Sequence, residues 1–149
     1  MTLDLQISKV SLRDHARVMQ VWEDSVRASH DFLSEAEIES LKPLVQSACI
    51  EGMTLYCTRD NAGAVTGFLG VDSPKVEALF VHPDWHGKGI GRHLMNYAIS
   101  EHDTTLVDVN EQNQQALAFY LHLGFEIASR SEVDGFGKPY PLLHLKLPG

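Results

Sequence analysis

Residues 82–93 read His-Pro-Asp-Trp-His-Gly-Lys-Gly-Ile-Gly-Arg-His, a stretch that leaves the backbone few options. Val76-Glu77-Ala78-Leu79-Phe80-Val81 precedes it and predicts a buried strand. Ile90, Leu94, Ala98 and Ile99 follow at helical spacing, with Tyr97 beside them. A strand must therefore pass through a glycine-rich turn straight into a helix. Gly87, Gly89 and Gly91, at every second position, remove the Cβ atoms that would keep an anion off the backbone. The first four N–H groups of a helix lack intrahelical partners, so the amides of roughly residues 87–92 can converge on one ligand. Helix dipole and free amides together favour a phosphate or pyrophosphate, and Lys88 and Arg92 add mobile positive charge. The Walker pattern is absent, because Gly89 rather than a hydroxyl residue follows Lys88. The dinucleotide fingerprint G-x-G-x-x-G fails as well, since Gly91 comes one position early.

The 149 residues, 44% apolar and 21% charged, suit one globular domain spanning 1–149 with room for a proper core. A formal charge of −8 speaks against a nucleic-acid partner, whose phosphates demand a basic face. Cys49 and Cys57 match no metal or redox spacing, so no metal site is expected and the thiols fit a reducing cytoplasm. No apolar run reaches membrane length, and Met1-Thr2-Leu3-Asp4 does not begin a signal peptide. The expectation is a soluble cytoplasmic α/β domain, monomer or homodimer, with no membrane partner.

In chain order, Leu3, Leu5 and Ile7 alternate with Asp4, Gln6 and Ser8, predicting a first strand with one wet face. Ser11 can cap a helix that carries Val18, Met19, Trp22 and Val26 on one side. Ser34 and Glu37 form a capping box for a second helix, which Pro43 should break near Leu41 or kink. Met53, Leu55 and Cys57 alternate with polar neighbours ahead of the hairpin turn Asp60-Asn61-Ala62-Gly63. A third strand over 64–71 contains Gly67 and Gly70, where something can approach the backbone closely. Beyond the loop's helix come a strand over 105–109, a helix near 113–123 ended by Gly124, and strands over 125–129 and 143–147.

That late helix holds the second chemical stretch. Seven residues return a helix almost to the same angle, roughly 10 Å further along its axis. Asn113, Ala116 or Leu117, and Tyr120 therefore line one face and can follow an extended ligand. The segment resembles the N-x-x-A-x-x-[F/L]-Y-x-x-x-G-[F/Y] pattern of the GNAT superfamily of N-acetyltransferases, matched at Asn113, Ala116, Phe119, Tyr120, Gly124 and Phe125. The family's V-x-P step and [Q/R]-x-x-G-x-[G/A] loop are matched by Val81-His82-Pro83 and Gly89-Ile90-Gly91, with His86 where Gln or Arg is usual. The element order β-α-α-β-β-β-α-β-α-β-β is similar to the family's over nearly the whole chain. The resemblance implies an α/β GNAT fold: a mixed, mostly antiparallel sheet of about seven strands, splayed between strands 4 and 5 and flanked by about four helices.

It also implies acetyl-CoA (coenzyme A after transfer) as cofactor. The pyrophosphate would rest on His86, Gly87, Lys88, Gly89, Ile90, Gly91 and Arg92. The pantetheine arm would follow Leu79, Phe80, Val81, Asn113, Ala116 and Tyr120. Direct attack by a primary amine needs a proton removed from an ammonium of pKa about 10.4 and another given to the departing sulfur. The resemblance makes Tyr120 that general acid, while an amide at Leu79 to Val81 polarises the thioester carbonyl. For the general base Glu77 leads, sharing a strand face with Leu79 and Val81 and acting through water; Asp108, His30 and His82 are the alternatives. The acceptor should be walled by His30-Asp31-Phe32 and by the loop 134–140, with Phe136 and Tyr140, and reached by Asp108.

The acceptor class stays open between a small-molecule amine and a protein lysine or N-terminus. Residues 11–51 hold four basic and eight acidic side chains, which mildly favours a cationic acceptor and disfavours charged tRNA. The competing class is a coenzyme A-binding sensor without transferase activity. Such a module would keep the glycine loop but would have no need of Tyr120.

Overall fold

A computed structural model describes residues 6–135 and 137–148, so the alternation at Leu3 and Leu5 and the placement of Phe136 lie outside the described residues. The strands are β1 (Ser8–Lys9), β2 (Leu55–Arg59), β3 (Val65–Asp72), β4 (Lys75–Val81), β5 (Leu106–Asn110), β6 (Glu126–Ser131) and β7 (Leu142–Lys146). They form one sheet in the order β1-β2-β3-β4-β5-β7-β6, antiparallel except where β4 meets β5. The helices are α1 (His15–Ser29), α2 (Glu35–Val45), α3 (Ile90–His102) and α4 (Gln114–His122).

Two apolar layers sandwich the sheet. On one side Val18, Val21, Trp22 and Val26 of α1 meet Phe68 and Ala78. On the other, Leu94, Met95 and Ala98 of α3 and Tyr120 of α4 meet Leu69, Val107 and Leu145. At Gly67 α3 packs close against β3: a Cβ there would lie 2.9 Å from Ile90 Cγ2. Among the described residues no helix is long and apolar enough to cross a membrane.

Ser34 caps α2 as its sequence requires, with the Glu37 amide donating to Ser34 Oγ at 3.2 Å and the Ser34 amide to the Glu37 carboxylate at 3.0 Å. Of the break near Leu41 or the kink expected from Pro43, the break does not occur. The helix runs on to Val45 and continues as a wider π turn over Gln46–Ile50, where the Glu51 amide reaches back to the Gln46 carbonyl at 2.9 Å. Proline removes one ladder bond, but Ile38, Val45 and Ile50 are all buried in the core shared with α1, and that burial holds the turns together.

The parallel joint between β4 and β5 is only two pairs long: Lys75 with Leu106, and Val76 with Val107. Its abrupt end has a local cause. Gly70 of β3 opposes Ala78, yet the next residue, Val71, opposes Val76, so Glu77 is the extra residue of a β-bulge. The alternation of β4 resets there. Val76 belongs to the α3–α4 core, Ala78 to the α1–α2 core, and Leu79 to the α3–α4 core again. Glu77 therefore does not share a face with Leu79 and Val81 by simple alternation. A bulge bends and twists its strand, and beyond it β4 parts from β5. This is the splay.

Candidate active site

The glycine loop lies at the end of β4. Gly87 and Gly89 have φ of +75° and +80°, values that L side chains rarely adopt, and a Cβ on either would meet nothing within 4 Å. Gly89 is the N-cap of α3. Among the described residues no intramolecular hydrogen bond occupies the amides of residues 87–92. The loop is thus a cradle of N–H groups without protein partners at a helix N-terminus, with Arg92 on its wall.

From the cradle a cavity of about 510 Å³ runs into the splay. Every residue expected to hold the cofactor lines it except Lys88, which is exposed. A second chamber of about 130 Å³ lies between β4 and β5 and is lined by Glu77 and Asp108. His30, Leu79, Phe80, Asn113, Ala116 and Tyr120 line both chambers and so stand where the two meet.

Tyr120 is buried at this junction, in T-shaped contact with Phe119 and Phe125 at centroid distances of 5.1 and 5.8 Å. Burial raises its pKa well above the ordinary tyrosine value, so the hydroxyl keeps its proton. Among the described residues that hydroxyl has no hydrogen-bond partner. Asn113 Oδ1 accepts from the Ala116 amide at 3.1 Å and caps α4, leaving its NH₂ group for a ligand. Between Ala116 and Leu117, the spacing left a choice; Ala116 is the one on the cavity wall.

The histidines divide by role. His86 Nε2 donates to the Val81 carbonyl at 3.0 Å, so its ring braces the loop. His82 is buried: Nδ1 accepts from the Asp84 amide at 3.1 Å, and Nε2 pairs with Asp24 Oδ2 at 2.9 Å. Both nitrogens are spent, and His82 lines neither chamber. His30 does face the site.

Among the carboxylates, Asp108 is clamped. Its Oδ2 pairs with Lys75 Nζ at 2.5 Å and its Oδ1 accepts from His144 Nδ1 at 2.6 Å. Burial alone would raise its pKa, but the bonds from Lys75 and His144 outweigh that and hold it below the ordinary value. Glu77 is exposed and has Lys75 Nζ at 4.0 Å. Phe32 and Tyr140 line neither chamber; their rings touch at 5.8 Å, with His30 at 5.3 Å from Phe32, tying the α1–α2 turn to the loop before β7. Trp85, Gln115 and Phe119 also line the larger cavity, and the sequence reading passed over them. Phe119 could have been found, since it sits inside the second motif.

The residues present fit coenzyme A: free amides and an arginine for the diphosphate, then an apolar slot between α4 and the splayed β4 for the arm. Comparison with known proteins points the same way. Residues 51–127 match the acetyltransferase (GNAT) domain model. The chain is 41% identical over 132 residues to the peptidyl-lysine N-acetyltransferase YjaB of Salmonella typhimurium, covering 89% of this chain and 90% of that one. The solution structure of apo-form YjaB from Escherichia coli superposes with a TM-score of 0.90 at 37% identity, over 99% of both chains. The crystal structure of PaiA N-acetyltransferase from Thermoplasma acidophilum in complex with coenzyme A shares the fold, with a TM-score of 0.71 at 21% identity over 97% of this chain and 99% of that one. Loop, splay and relatives agree: the chain belongs to the GNAT family of acetyltransferases and moves an acetyl group from acetyl-CoA to an amine.

Proposed function

We propose that the acceptor is the ε-amino group of lysine in a protein or peptide. The observation that carries this reading is the size and lining of the smaller chamber. About 130 Å³ between β4 and β5, with Glu77 and Asp108 on its wall, suits an aliphatic stem that ends in a cation. The sheet face around it is open, since no residue of β5, β6 or β7 belongs to the core under α1 and α2. Five of the six β6 residues are exposed, which leaves room for a polypeptide to lie across the face. The similarity to a peptidyl-lysine N-acetyltransferase supports the same acceptor.

In this reading the amides of residues 87–92 and Arg92 hold the diphosphate, with Lys88 adding charge from the rim. Leu79, Phe80, Val81, Asn113 and Ala116 guide the arm to Tyr120. A backbone amide at Leu79 to Val81 polarises the carbonyl under attack. Tyr120 gives its proton to the departing sulfur. Glu77 and Asp108 draw the cationic acceptor inward, while Phe32 and Tyr140 wall its approach. The reading places the enzyme in the cytoplasm, where its two free thiols, Cys49 and Cys57, would stay reduced.

The test is a competition with acetyl-CoA among lysine peptides whose N-termini are blocked, peptides with a free N-terminus and no lysine, and small amines. Mass spectrometry should find ε-acetyl-lysine as the main product. Turnover of the small amines alone would overturn the assignment.

A further inference from the structure

Resting on the acetyl-transfer reading, we propose that His30 is the general base, taking the ammonium proton on Nε2. The hydrogen bonds around Ser29 decide which ring nitrogen is free. Ser29 Oγ lies 2.8 Å from the Ser25 carbonyl oxygen and 2.8 Å from His30 Nδ1. Two oxygens at that separation need a proton between them, and only the hydroxyl has one to give. Ser29 therefore donates to Ser25 and can only accept from the ring. Nδ1 carries the hydrogen, and Nε2 is left with its lone pair. Among the described residues no partner occupies that nitrogen, and the ring lines both chambers where they meet at Tyr120.

The surroundings suit a base. Burial lowers the pKa of His30, with Asp31 opposing more weakly, so the neutral ring prevails before substrate arrives. His30 is also the C-cap of α1, its amide bonded to the Val26 carbonyl at 2.7 Å. The negative end of that helix stabilises the imidazolium that forms. The charged and titratable groups facing it are Asp31 beside it, Tyr120 of α4, Glu77 of β4 and Asp108 of β5. Asp108 is held by two donors and Glu77 is exposed at the bulge, so neither matches an unpartnered imidazole nitrogen as proton acceptor.

The protons balance. His30 Nε2 removes one from the ammonium, and the freed lone pair forms the C–N bond. Tyr120 supplies the proton that leaves with the sulfur as the C–S bond breaks. The second proton shed by nitrogen restores Tyr120 through solvent, and His30 releases its own to bulk water, so one proton is released per transfer.

The experiment has two arms. Nitrogen-15 NMR of the wild-type histidines should show His30 with a protonated Nδ1 and a bare Nε2; the opposite tautomer overturns the proposal. In the second arm, His30→Gln should keep acetyl-CoA affinity by calorimetry but lose about 10²–10⁴-fold in kcat/KM. The acidic limb of the wild-type pH profile should vanish with it, and Ser29→Ala should move that limb with a smaller loss. An unchanged profile in His30→Gln, or a limb that disappears in Glu77→Gln instead, overturns the proposal. If wild type binds acetyl-CoA but acetylates no amine, the acetyl-transfer reading itself has failed, whatever the tautomer.

Discussion

His82 Nε2 donates to Asp24 Oδ2 at 2.9 Å, joining the start of the glycine loop to α1 across 58 residues of sequence. The direction follows from the other ring nitrogen, which accepts from the Asp84 amide. The pair thus anchors the cradle to the helix that ends at His30. Asp24→Ala should remove about 0.5–1.5 kcal/mol, the net worth of one such bond, and lower Tm by a few degrees. It should also weaken acetyl-CoA. Wild type gains about 2.7 kcal/mol at 100 times Kd; thermal melts at one fixed acetyl-CoA concentration should show a smaller gain in the variant.

Tyr120→Phe isolates the hydroxyl. The ring and its contacts with Phe119 and Phe125 survive the change, and only the proton at the chamber junction is lost. Affinity for acetyl-CoA should hold while kcat falls about 10²–10⁴-fold, the usual span for a general acid. Steady-state kinetics beside calorimetry separates this from a packing role, which would leave kcat alone.

Away from the site, Asp14 accepts from Arg59 Nη1 and Nη2, each at 2.8 Å, and from the Ser11 amide at 2.8 Å. The Arg59 hydrogen bonds hold its carboxyl well below the ordinary range. Because the folded value is depressed, the pair's stabilisation is complete above the unfolded pKa of about 3.9. It shrinks as pH falls from there toward the folded value. Asp14→Asn should therefore lower Tm at pH 7, with a gap to wild type that narrows below about pH 4. Melts across pH 2.5–7 check this.

How much of this could be read from the sequence depends on distance along the chain. The cradle and the α4 face are short-range patterns, and the residues chosen for them line the cavity, Lys88 apart. The break that Pro43 allowed near Leu41 is absent because proline's cost is local while the burial of Ile38, Val45 and Ile50 is tertiary. The tie between His82 and Asp24 joins residues that no periodicity connects. The face of Glu77 could not be counted off for another reason: a bulge is a mismatch between two strands, and the residues of β4 alone alternate innocently. Which ring nitrogen of His30 is free was equally hidden, because it depends on the direction of the Ser29 hydroxyl.

The bulge at Glu77 also means that the cleft is a matter of parity. Remove that one residue and Val76, Ala78, Leu79 and Phe80 would count off to alternate cores without interruption, in the order they already occupy. The shortened strand could then keep β5 as its neighbour along its whole length, and the gap that admits the acetyl donor would heal into ordinary sheet. Deleting Glu77 should therefore narrow the cleft and cost acetyl-CoA affinity, which calorimetry would read. The opening between β4 and β5 begins at one amino acid too many.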